Sequence, residues 1–120
     1  MATDSPNANV RREYFATTAA GATTEGAKFR SFQKFILKKA HAAVVTAGTA
    51  TTHGYDVYNG TTSIGTIALS TSAAGVTASS GALNSEVAAL GQISVKSLAD
   101  AAGVAHIIYE YEVRHDAVQS

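Results

Sequence analysis

The chain has 120 residues, nine Lys or Arg against nine Asp or Glu, one proline and no cysteine, which excludes a disulfide scaffold and a cysteine-ligated metal centre and leaves no bulk charge for nucleic acid. It holds 24 Ala, 14 Thr, 11 Ser and 10 Gly, whereas Leu, Ile, Val and Phe total 25; at zero net charge this predicts one folded domain with a thin core that gains from partners. No run of about 18 apolar residues could span a bilayer and the first ten residues lack a secretory apolar run, so the expectation is a protein made in a cytoplasm with no membrane partner.

Residues 1–27 read as an extended N-terminal arm preceding a body over 28–120, because small residues, Arg11, Arg12 and Glu13 show no sustained periodicity there. Apart from Met1, the arm's large apolar residues are Val10, Tyr14 and Phe15, candidates for seating it in a partner's pocket. Gly21 to Gly26 has the outer spacing of a phosphate-binding loop, but Ala27 stands where lysine is required. Lys28, Arg30, Lys34, Lys38 and Lys39 then fall within twelve residues that contain no acid. This basic segment is a candidate for meeting carboxylates on a partner. Interleaved Phe32 and Phe35 would also allow base stacking, which five cations in a neutral chain make weak at physiological salt; a solvated sheet face is the plain alternative.

Lys34 to Thr46 reads as a long strand, although its early aromatic spacing would also suit a helix. Tyr55 to Tyr58 and Thr62 to Leu69 flank Asn59-Gly60, a tight-turn dipeptide, and predict a hairpin. Thr71 to Ala82 reads as a second hairpin of small residues. Leu83, Val87 and Leu90 lie at i, i+4 and i+7, with Asn84 as a possible cap and Gly91 placed to end the turn, which predicts one short helix, with a loop as the close alternative. Gln92 to Leu98 and Ala102 to His115 alternate with a period of two and predict an antiparallel hairpin. The recurring alternation makes the body all-β.

No catalytic signature emerges. Gly60 to Gly65 misplaces the first glycine of a nucleophile elbow around Ser63. His41, His53, His106 and His115 lack metal-ligand spacing, and Glu110 and Glu112, about 7 Å apart on one strand face, read more simply as solvated charges than as paired catalytic carboxylates. The expectation is a non-enzymatic chain without metal or cofactor.

The stretch from Asp56 to Gly75, with Ile93-Ser-Val95 and Gly103 to Glu112, resembles small decoration (cement) proteins of tailed-phage capsids. The resemblance implies a β-sandwich or jelly-roll body, often a homotrimer, placed on the virion over junctions of the major capsid protein. The resemblance carries over no attachment residues; the candidates are those read above in the arm and the basic segment, and a homodimer is the second expectation. The alternative is a receptor- or glycan-binding module of a tail or fibre, with Tyr55, Tyr58 and neighbouring Asn and Asp groups forming a shallow site.

Overall fold

The computed structural model describes residues 10–18, 25–98 and 102–113, with the side chains of residues 10 and 11 excepted. Among the described residues there are nine strands and no helix: β1 (Val10–Thr17), β2 (Glu25–Phe29), β3 (Phe35–Thr46), β4 (Gly54–Asn59), β5 (Thr62–Ala68), β6 (Thr77–Ser79), β7 (Ser85–Val87), β8 (Ile93–Ser97) and β9 (Val104–Val113). They form a β-sandwich. One sheet runs β1-β9-β3-β6, with β7 also paired to β3; the other runs β2-β8-β4-β5, and every pairing is antiparallel.

Alternation along β9 buries Ala105, Ile107, Tyr109, Tyr111 and Val113 and turns the intervening residues outward. β3 does the same with Phe35 and Leu37, then Ala40, Ala42 and Val44, after a bulge that absorbs one extra residue. Tyr55, Val57, Ile67, Ile93 and Val95 face them from the second sheet. The core is graded along its length. At one end Phe29, Phe35 and Tyr111 meet with ring centroids 5.0 to 5.6 Å apart, and the Tyr109 hydroxyl donates across the sandwich to the Ala27 carbonyl at 2.8 Å. Toward the other end alanines dominate, and polar groups close the core: the Thr18 and Tyr55 hydroxyls share a hydrogen bond of 3.0 Å, and the Ala105 amide donates to Thr18 Oγ1.

The arm expectation needs correction. Residues 10–17 are β1, paired along their whole length with β9, and 25–29 are β2, paired with β8. Tyr14 aligns with Tyr109 and turns inward, stacking on Phe29 at 4.4 Å. The alternation is weak in the sequence because the charged Arg12 falls in the same period-two series as Tyr14 and Ala16. Residues 1–9 and 19–24 lie outside the described residues.

The expected helix over 83–91 is also absent: Ser85–Val87 is a strand on β3, and the following turn holds Leu90 at φ +65°. Thr71 to Ala82 contributes one strand, β6, rather than a hairpin. β8 and β9 do not pair; each inward face fits a different sheet. The β4–β5 hairpin forms, but its two-residue loop is Gly60-Thr61, closed by Asn59 opposite Thr62, with positive φ at Gly60 and not at Asn59. That places glycine at the first central position, where a II′-type loop needs it.

Candidate functional site

Two surfaces stand out, one made by loops and one by a sheet face. The loops are 30–34, between β2 and β3, and 88–92, between β7 and β8. Arg30 binds them together: its guanidinium donates to the Leu90 carbonyl at 2.7 Å and to Gln92 Oε1 at 3.1 Å, while the Leu90 amide donates to the Ser31 carbonyl at 2.7 Å. Lys34 pairs with Glu86 at 3.2 Å beside them. The clamp carries two large apolar side chains into solvent. Phe32 is 88% exposed and Leu90 56% exposed, and Leu90 does so from a left-handed backbone conformation that costs a bulky residue about 1–2 kcal/mol. A strained, cross-linked loop pair that presents apolar groups outward is the arrangement expected of a contact surface.

The second surface is the outer face of the five-stranded sheet. Strand register lays out its rows: Glu13 opposite Glu110 and then Lys39; Phe15 opposite Ile108, His41 and Ser79; Thr17 opposite His106, Ala43 and Thr77. Small residues at Ala43, Thr77 and Ser79 leave a groove of about 540 Å3 between them and Glu13 and Ile108. His41 Nε2 lies 3.4 Å from Glu110 Oε1, and the exposed Phe15 ring sits 4.8 Å from the His106 ring. Glu110 thus has Glu13 on one side and the cationic or polar groups of Lys39 and His41 on the other, so the unfavourable carboxylate pair is offset by its neighbours on β3.

The residues singled out in the sequence are dispersed. Val10 lies on β1 opposite Val113, Tyr14 belongs to the core, and Phe15 stands on the outer face. Lys28 lies in the other sheet, 4.0 Å from Glu25. Arg30 and Lys34 are at the loop end, both engaged by the chain's own groups, and Lys38 and Lys39 occupy the β3 bulge. The five cations therefore do not make one patch. Tyr55 is buried, 1% exposed, and the Tyr58 ring is covered by the Lys96 ammonium at 5.0 Å, so the expected Tyr55–Tyr58 surface does not exist. Among the described residues no group of three His, Cys, Asp or Glu is placed to hold a metal; His53 is buried beside Gly103 and Tyr55, and His115 lies outside the described residues.

In the sequence the spacing of Leu90 to Leu83 and Val87 points inward, and Phe32 reads only as a ring interleaved with the lysines, so nothing there marks the two as one surface. The only legible signal for the groove was the run of outward residues on β9.

No family model and no curated protein sequence matches the chain. Among solved structures, it is similar to a carbohydrate-binding module from Clostridium stercorarium in complex with cellobiose, with 14% identity over 94% of this chain and 96% of that one and a TM-score of 0.47.

Proposed function

We propose that the chain is a structural, non-catalytic protein of a virus particle that decorates the shell by docking on the major capsid protein through the end formed by loops 30–34 and 88–92. The observation that carries this reading is the exposure of Phe32 and Leu90 on loops already held together by Arg30. Burying Phe32 against a partner is worth about 1.5–3 kcal/mol, and Leu90, already partly covered, contributes less; a preformed clamp loses little of it to loop ordering. The sequence resemblance of 56–75, 93–95 and 103–112 to capsid decoration proteins supports the same reading. Contacts of this size are weak singly, and several copies on a shell multiply them through effective concentration.

The test is occupancy of purified capsids that lack the protein. Phe32→Ser combined with Leu90→Ser should lower occupancy at least about tenfold, equivalent to roughly 1.4 kcal/mol, with an unchanged far-ultraviolet spectrum. Unaltered occupancy by the double variant overturns the proposal.

The groove favours a second reading, a glycan-binding module of a tail or fibre. Its size suits a small ligand, and one carboxylate, two hydroxyls and an imidazole in its lining, with the exposed Phe15 ring opposite Ile108 at its margin, suit a polyhydroxylated ring with one apolar face. A glycan array would support it only if binding is lost on Glu13→Gln and on Phe15→Ala.

A further inference from the structure

The strands at the margins of the sandwich are unequally protected. β1 carries Arg11, Arg12 and Glu13, β2 carries Glu25 and Lys28 and is interrupted by a bulge, and β6 and β7 are three residues each. Charge, irregularity and shortness are the devices that keep a sheet edge from pairing with another chain. β5 has seven residues and neither charge nor proline. Its bulge, at Ile64, lies toward the hairpin end and leaves Gly65 to Ala68 regular.

Hydrogen bonding shows which peptide groups of β5 point away from the sheet. The Leu69 amide donates to the His53 carbonyl at 3.0 Å; on the other side of β4, Leu98 donates to Gly54 at 2.9 Å and Gly60 to Gln92 at 2.8 Å. Antiparallel bonding alternates residue by residue, so Tyr55 and Val57 bond toward β5, and their partners Ile67 and Gly65 turn their peptide groups to β4. Thr66 and Ala68 turn theirs outward. Among the described residues no backbone hydrogen bond from another segment reaches either. Leu83 packs beside Gly65, 2.5 Å from where a Cβ would stand, and gives its own amide to Lys38.

We infer that β5 pairs antiparallel with β5 of a second copy of this chain, joining two four-stranded sheets into one. The edge is its own complement. A two-fold axis at Ile67 sets Thr66 opposite Ala68 of the other copy and Ala68 opposite its Thr66, so the outward amides and carbonyls of both residues are satisfied in each copy. No charge on β5 meets its like across that axis. The contact is short, so the dimer is weak in dilute solution and is reinforced when copies are held close together. It uses no residue of the loop end proposed to dock on the capsid.

Light scattering of the full chain from about 10 µM to about 1 mM should show mass rising from one chain toward two. Hydrogen exchange should slow at the Thr66 and Ala68 amides over the same range and stay constant at Ile67. Ala68→Pro removes one outward amide, and Ala68→Lys sets like charges near each other while retaining it; either should raise the dimerisation midpoint at least about tenfold. The lysine variant serves if proline disturbs the hairpin. A monomer throughout, a trimeric mass, or a dimer in which Thr66 and Ala68 exchange as fast as in dilute solution would overturn the inference, whatever the Phe32 and Leu90 variants do on capsids.

Discussion

Tyr14 and Phe15 are neighbours in sequence with opposite physical roles. The Tyr14 ring stacks on Phe29 and lies 6.4 Å from Tyr109, so Tyr14→Ala removes an aromatic contact and opens a cavity, at a cost of about 3 kcal/mol. Phe15 is 56% exposed, and Phe15→Ala should change stability by no more than about 0.5 kcal/mol; urea denaturation of the two variants measures the difference. Tyr109 sets a pH limit. Burial is the main cause that pushes its hydroxyl well above the usual tyrosine value of 10.0, with the charges of Tyr14 and Glu25 adding to it. A group whose folded pKa is raised holds its proton more tightly when folded, so its contribution is intact below pH 10 and is lost as pH rises beyond it. Stability should therefore fall in alkali, and Tyr109→Phe should flatten that fall while costing about 1–3 kcal/mol at neutral pH, since Ala27 loses its hydrogen bond. An unchanged alkaline slope in the phenylalanine variant would refute the assignment.

At the scale of elements, β1 is part of the sheet and not an appendage. Removing residues 1–18 exposes the edge of β9 and takes away Tyr14 and the Thr18 hydroxyl that receives the Ala105 amide. The truncated chain should lose its cooperative thermal transition or melt at least about 10 °C lower, on the scale of 4–8 °C per kcal/mol for a domain of this size. The loop clamp separates strain from binding. Leu90→Gly relieves the left-handed leucine and should hold stability or raise it by up to about 1 kcal/mol, yet reduce capsid occupancy because the leucine side chain is gone. Reduced stability together with intact occupancy would show the strain to be unrelated to docking.

For the whole molecule, the dispersion of cations bears on how a partner is held. Arg30 is engaged with loop 88–92, Lys34 with Glu86, and Lys28 lies near Glu25, so binding through Phe32 and Leu90 should change less than about tenfold between 50 mM and 500 mM salt. A steep salt dependence measured on capsids would return the attachment to the basic segment. The open β5 edge would add the proposed two-fold contact at a different part of the surface, and the two together would let one copy hold both the shell and a neighbour.

The strands of the body were legible because alternation is a local property: β9, β8, β3 and the β4–β5 hairpin are written in side chains two residues apart and in Gly60. The all-β class follows from them alone. What only the tertiary structure decided is which strands share a sheet and which side chains a distant segment covers. β8 and β9 alternate equally well, and their separation into opposite sheets depends on partners far along the chain. Tyr14 looks like an anchor for another molecule until β9 is placed beside it, Tyr55 looks exposed until Thr18 closes over its hydroxyl, and Arg30 looks like a free cation until Leu90 and Gln92, 60 and 62 residues away, receive its guanidinium. Backbone pairing and burial at such separations are set by the competition of all strands for one thin core, and no local pattern of residues encodes its outcome.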